Sequence, residues 1–285
     1  MKRPGRWLAA LSLLAAACLD RSTDPDEIIA IELRPPPWPS VVAGDTLRDS
    51  LGAVAPLEAL LFDGHGDVVT GTPVIFFPRD TLVTVSTTGI VVARDSVDGA
   101  AELVASAPGV QSTVRRLEVV PRPDSLAAQG TIDTLRWVIP DQPSVNVSSE
   151  LRVQLLNRTE TGVQGVRAWI VRWQLEFRGQ PVAPGDTSLI FLVNGAGRPA
   201  VTDTTDGTGN AGLRVRLRTG PGLDPIDSAV VIAEASYRGA PVPGSGLRLV
   251  LPLRPQGVSS ATAAADRRLQ PGTRTTEGGR DVRSR

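Results

Sequence analysis

Between Val166 and Phe177 five large apolar side chains stand at every second position: Trp169, Val171, Trp173, Leu175 and Phe177. Successive side chains of a strand point to opposite faces, so this spacing lays one apolar stripe along one face of a strand; a helix would scatter it. A stripe that bulky must be covered by another layer, which constrains the chain to packed β-sheets. Shorter pieces repeat the theme. Leu151, Val153 and Leu155 alternate, and so do Leu213, Val215 and Leu217. Short β-branched runs are broken by turn residues, with 28 Gly and 24 Pro to supply them. No long stretch has the 3.6-residue period of a helix. The expected fold class is all-β, as two tandem sandwiches.

Cys18 is the only cysteine. No internal disulfide can therefore form, and each sandwich must hold by its core. Cys18 directly follows the apolar run Leu8–Ala17, which is preceded by Met1, Lys2, Arg3 and Arg6. A basic start, a short apolar core and small residues predict a secretory signal peptide over 1–17. The run is too short for a bilayer crossing, which needs about 20 residues. A cysteine at this place resembles the lipobox of bacterial lipoproteins. The resemblance implies cleavage before Cys18, a diacylglyceryl group on its thiol and an acylated new amino terminus. Ala15 stands where that family favours Leu, and Ala15 with Ala17 also fits the Ala-x-Ala rule of plain secretion. Leu19, second in the mature chain, favours the outer membrane by the same resemblance, facing the periplasm or the exterior. Residues 18–27 are a short polar tether.

Removing the signal takes away Lys2, Arg3 and Arg6, which leaves 27 basic and 30 acidic residues, net −3. No global basic field points to nucleic acid. The segment 256–285 is Ser, Thr, Ala, Gly and Arg without apolar period, with six Arg against three acids, and reads as a disordered tail.

Residues 28–120 form the first unit. Strands are expected at Glu27–Leu33, Leu57–Phe62, Pro73–Phe77, Leu82–Ser86 and Ile90–Ala93, with a closing hairpin of Ala101–Ala107 and Thr113–Val120. The Pro-rich Arg34–Pro39 reads as an edge or a sheet-switching kink, and Asp63–Asp67 as a hairpin turn. This many short strands in about 100 residues predicts an immunoglobulin-like sandwich. The segments Val42-Ala43-Gly44-Asp45-Thr46, Leu57-Glu58-Ala59, Phe62-Asp63-Gly64-His65-Gly66, Val74-Ile75-Phe76, Val83-Thr84-Val85, Gly89–Ala93 and Gly99–Ala105 follow the order of the bacterial Ig-like family of group 2 type and resemble it. Residues 121–255 form the second unit. Thr205-Asp206-Gly207-Thr208-Gly209-Asn210-Ala211, then Val230–Ala235 and Gly239–Ser245, resemble the invasin/intimin-like group 1 type. The unit is elaborated: Ser125–Val147 reads as irregular, Thr161–Gly165 as a turn, and Gly179–Ala200 as a long loop.

Few residues suit chemistry. His65 is the only histidine, between Asp63 and Asp67. It reads as a polar hairpin tip, and a Ser-His-Asp or Cys-His system would have to be built on it alone. Asp203 and Asp206 lie near Asn210 in a Gly-rich loop and are weak candidates for calcium; the rival reading is an Asx-turn. Trp169 and Trp173 read as core rather than as a sugar platform. Trp38, among prolines, either folds back onto its sandwich or is an exposed contact. Gly195-Ala196-Gly197 is too short for a dinucleotide loop. Asn146-Val147-Ser148 and Asn157-Arg158-Thr159 match the glycosylation sequon without reason for its use in a bacterial lipoprotein.

No catalytic residue and no cofactor are therefore expected, and Cys18 is the one modification site. The expected role is a lipid-anchored envelope protein whose sandwiches act as spacer, adhesion or scaffolding modules, with a protein or glycan ligand and no nucleic acid. The alternative is a carbohydrate-binding or accessory subunit of an envelope complex. A hydrolase would need a deep pocket with perturbed carboxylates near His65 or the Gly179–Ala200 loop.

Overall fold

The computed structural model describes residues 27–160, 162–219, 223 and 227–256. The signal segment, Cys18, most of the tether and nearly all of the C-terminal tail lie outside the described residues. Every regular element among the described residues is a β-strand. The first sandwich holds β1 (Ile28–Leu33), β2 (Ser40–Val42), β3 (Ala59–Asp63), β4 (Val68–Val69), β5 (Ile75–Pro78), β6 (Val83–Val85), β7 (Val91–Ala93), β8 (Gly99–Ala107), β9 (Val110–Gln111) and β10 (Arg115–Val120). The second begins with β11 (Ser125–Gln129), β12 (Leu135–Trp137), β13 (Leu151–Thr159), β14 (Gly162–Gly165), β15 (Ile170–Phe177), β16 (Gln180–Pro181) and β17 (Ile190–Val193). It ends with β18 (Thr202–Thr204), β19 (Asn210–Leu217), β20 (Ser228–Glu234), β21 (Ser236–Tyr237), β22 (Ala240–Pro241) and β23 (Leu247–Pro255).

Both sandwiches start the same way. β1 pairs antiparallel with β3, the chain then crosses to the other sheet, and β2 pairs parallel with the last strand, β10. In the second unit β11 pairs antiparallel with β13, and β12 pairs parallel with the last strand, β23. The crossing in the first unit is the Pro-rich Arg34–Pro39, which can neither donate a full ladder nor stay in one sheet. The second sandwich then has sheets β11-β13-β19-β17 and β12-β23-β20-β15-β16. A first strand split between two facing sheets, with its second half parallel to the last strand, makes both units immunoglobulin-like sandwiches.

The cores follow the alternation. Leu151, Val153 and Leu155 of β13 and Val171, Trp173, Leu175 and Phe177 of β15, in opposite sheets, are all buried in one cluster. The expected strand Val166–Phe177 is broken, however. Ala168 has a positive φ of 51°, and β15 begins only at Ile170. Trp169 is thereby turned out of the stripe and into the junction described below. Ser125–Val147 is not wholly irregular either: it contains β11 and β12, one edge strand for each sheet. Its remaining stretch is clamped by Asn146, which is 0% exposed. Asn146 Oδ1 accepts from the Val138 amide at 2.8 Å, and its Nδ2 donates to Asp141 at 2.8 Å. Arg216 of β19 closes the cluster by donating to Asp141 at 2.6 Å. Most of the expected Thr161–Gly165 turn is strand β14, paired with β13.

One turn device occurs five times among the described residues: Asp49–Ala53, Asp63–Asp67, Ser86–Ile90, Asn194–Arg198 and Asp206–Asn210. In each, the first residue's side-chain oxygen accepts from the amides two and four residues on, at 2.8–3.3 Å. The fourth residue is always Gly with φ between 73° and 87°. A side-chain acceptor for two otherwise idle amides and a residue tolerant of positive φ are what such a tight hairpin requires.

Candidate functional site

The two sandwiches meet over a built junction, and their buried side chains form one continuous cluster. At its centre is Asp45, only 6% exposed, just after β2. Arg238 grips the carboxylate in a fork, Nε to Oδ2 at 2.9 Å and Nη2 to Oδ1 at 2.8 Å. Arg48 adds a second fork at 3.2 Å on both oxygens. The Tyr237 hydroxyl donates to Oδ2 at 2.7 Å. Tyr237 and Arg238 belong to the β21–β22 hairpin of the second sandwich, so one carboxylate of the first unit organises a corner of the second. Charged, forked hydrogen bonds of this kind are the strong class.

Burial alone would push the Asp45 carboxyl up; the donors Arg238, Arg48 and Tyr237 outweigh it and hold the group well below the usual carboxylate range. The Tyr237 phenol is pushed up to about 12, by burial and by its bond to Asp45. The Arg238 guanidinium is raised further by the same carboxylate. The Asp45 and Tyr237 shifts both run away from neutrality, so neither group is poised for proton transfer there.

Apolar and backbone contacts surround this latch. The Trp38 ring meets Trp169 edge-on at 5.8 Å, and Trp169 lies 6.1 Å from the Tyr237 ring. Trp38 is buried, so its place among prolines aims it at the neighbouring unit rather than at solvent. Arg122 and Arg238 lie over the Tyr237 ring. The Asp49–Ala53 hairpin abuts the β21–β22 hairpin so closely that a Cβ on Gly52 would sit 2.1 Å from the Gly239 nitrogen. Arg172 donates to the Ser50 carbonyl, Ser40 donates to the Ala168 carbonyl, and Arg167 reaches Asp98 at 2.6 Å and Glu118 at 2.9 Å.

The residues singled out by sequence fall elsewhere. His65 sits at an exposed hairpin tip, where Asp63 accepts from the His65 and Asp67 amides at 2.9 Å. Asp206 accepts from the Thr208 amide and hydroxyl and from the Asn210 amide, which is the Asx-turn. Asp203 accepts from the Gly212 amide at 2.7 Å. Among the described residues no three His, Cys, Asp or Glu side chains come together as a metal site. Both sequon asparagines are buried; Asn157 donates to the Arg122 carbonyl and to Asp124. The Gly179–Ala200 segment does border a cavity, but its one acidic wall residue, Asp186, is exposed and held below the usual carboxylate range by the Ser188 amide. That shift is opposite to the one a general acid needs. Sequence reasoning missed Asp45, Tyr237 and Arg238 as a unit. Asp45 was visible only inside the Val42–Thr46 segment, and its partners lie about 190 residues away.

No protein-family model matches the chain. No curated protein matches it either. Among solved structures, it is similar to the Yersinia pseudotuberculosis adhesin InvE, at 18% identity and a TM-score of 0.30, over 78% of this chain and 58% of that one. Domains 5–6 of the S-layer protein SbsC align at 13% identity and a TM-score of 0.26, over 81% of this chain and 99% of that one. A protocadherin gammaB7 structure of repeats EC3–6 aligns at 10% identity and a TM-score of 0.25, over 80% and 52%.

Proposed function

We propose that this chain is a cell-envelope spacer, adhesion or scaffolding protein, lipid-anchored at Cys18 in the outer membrane, and that its two sandwiches act as one stiff unit. The first sandwich is read as the group 2 type of bacterial Ig-like domain and the second as the invasin/intimin-like type, on the segments quoted above. The observation that carries the reading is the latch at Asp45. Independent domains joined by a linker do not share a core or bury a carboxylate between them; a rod that must keep its ends apart does. The anchor rests on the basic start, the apolar run and the cysteine at its end.

Two measurements on the full-length protein test this. Intact mass and membrane fractionation should show acylated, membrane-bound wild type and released, unacylated Cys18→Ala. An unmodified Cys18, or cleavage elsewhere, overturns the anchor. Small-angle scattering should give one rigid envelope for the two sandwiches; a scattering curve that needs an ensemble of domain orientations overturns the stiff unit.

A further inference from the structure

We propose that Asn194, in the hairpin turn after β17, is a site of spontaneous deamidation, at which the Gly195 nitrogen displaces the side-chain amide and the residue becomes aspartate and isoaspartate. The inference stands whether or not the chain is lipid-anchored, and it concerns a turn that takes no part in the Asp45 latch.

The chain holds four asparagines, and the fold treats them differently. Asn146 and Asn157 are buried, and their Nδ2 groups donate to Asp141 and to the Arg122 carbonyl, each at 2.8 Å. Asn210 Nδ2 donates to the Thr208 hydroxyl at 2.6 Å. Val147, Arg158 and Ala211 follow these three, each with a side chain beside the main-chain nitrogen that would have to attack. Asn194 is followed by Gly195, so no side chain shields that nitrogen. Neither Asn194 Nδ2 nor the Gly195 amide has a hydrogen-bond partner among the described residues. Leaving group and nucleophile are both free, and Gly195 is exposed to water.

The turn also prepares the electrophile. Asn194 Oδ1 accepts from the Ala196 and Arg198 amides, both at 3.0 Å. Negative charge builds on this oxygen as the Gly195 nitrogen adds to Cγ, and two main-chain donors already aimed at it act as an oxyanion hole does. Hydroxide removes the Gly195 amide proton, the nitrogen bonds to Cγ, and the Cγ–Nδ2 bond breaks to release ammonia, with a proton taken from water. Water then opens the succinimide ring, at Cγ to give Asp or at the main-chain carbonyl to give isoAsp. The matching turn at Asp63–Gly64 lacks an amide to expel. Hydrogen bonding, from the Asp67 amide above all, holds Asp63 below the usual carboxylate range, and an ionised carboxylate is a poor target for a nucleophile.

The two products differ in what they do to the fold. Asp at this place keeps the acceptor that Asp49, Asp63 and Asp206 supply in the matching turns. IsoAsp puts an extra methylene into the main chain and moves the acceptor, so the bonds from Ala196 and Arg198 are lost. Those bonds shape the turn that brings Pro199 back against Val193 and leads into Ala200 and Val201 on the cavity wall. The isoAsp form therefore loosens that wall.

The test holds the purified full-length protein, folded, in warm, mildly alkaline buffer and follows it by peptide mapping with mass spectrometry, beside the same protein unfolded in urea. The folded protein should gain about 1 Da, at Asn194 before the other asparagines, as a mixture of Asp and isoAsp. Gly195→Ala, whose added Cβ meets open space, should keep the thermal midpoint and convert roughly fivefold more slowly. Once the aged forms are separated chromatographically, the isoAsp form should melt below the Asp form, and Asn194→Asp should melt with the Asp form. Asn194 intact in the folded protein while the unfolded chain converts, Asp without isoAsp, or equal or earlier conversion at Asn146, Asn157 or Asn210 each overturns the proposal. An undiminished rate in Gly195→Ala overturns it too. If Gly195→Ala fails to fold, the mapping of the wild-type protein decides alone.

Discussion

Asp45 shows how one residue can be structural in two domains at once. Asp45→Ala leaves Arg238, Arg48 and the Tyr237 hydroxyl facing a hole, and truncating one partner of a buried, charged hydrogen-bond cluster costs about 2–5 kcal/mol. Chemical denaturation should show that loss, and Asp45→Asn, which keeps an acceptor for Tyr237, should lose less. The pH dependence follows from the two shifts. The Asp45 carboxyl lies below the usual range in the folded protein, so its contribution is complete above about pH 4 and is lost as pH falls from there towards the depressed value. The Tyr237 phenol is raised, so its contribution is complete below about pH 10 and is lost as pH rises from there through about 12. Thermal midpoints should therefore separate wild type from Asp45→Ala most widely in the neutral range, and least at the two extremes. Midpoint differences that do not change with pH would contradict this assignment of charges.

At the scale of elements, the five matching hairpins rank their own glycines. All five fourth-position glycines hold a positive φ, so Ala at any of them carries strain of about 1–2 kcal/mol. At Gly66 and Gly197 a Cβ would meet open space, and that strain should be the whole cost. At Gly209 it would lie 2.5 Å from the Leu155 carbonyl oxygen, and at Gly52 it would strike the Gly239 backbone. Calorimetric melts of the Ala variants should place Gly66 and Gly197 together as mild, with Gly209 and Gly52 clearly worse. Equal losses at all four would show that the contacts do not matter. The elements also mark how far a sequence can be read. Strands such as β13, β15 and β23 bury every second residue, and that period is written in the chain. The two β-sandwiches were legible for this reason, and so was the kink at Arg34–Pro39. The break at Ala168 was not, because a positive φ at an alanine leaves no mark along the chain. The strands inside Ser125–Val147 were hidden too, since edge strands of three to five residues are too short for a period to show. The latch failed for a third reason: a long-range carboxylate–guanidinium pair has no signature along the chain at all.

At the scale of the whole molecule the two halves contribute differently to their junction. The first sandwich gives the Asp49–Ala53 hairpin, Trp38 and the Asp45 carboxylate, while the second gives Trp169 and the β21–β22 hairpin with Tyr237 and Arg238. The topology adds something to this. In each sandwich the second strand, β2 or β12, runs parallel to the last strand, β10 or β23. Tension between the two ends of either domain pulls those neighbouring strands in opposite directions along their own length. The bonds joining them are then loaded side by side in shear, and no single pair can give way first as it would in an unzipping hairpin. Single-molecule pulling on the ends of the folded region should meet high resistance at both domains. Replacing Val41 with Pro, which removes the central amide of the β2–β10 pairing, should lower the force for the first domain and leave the second unchanged.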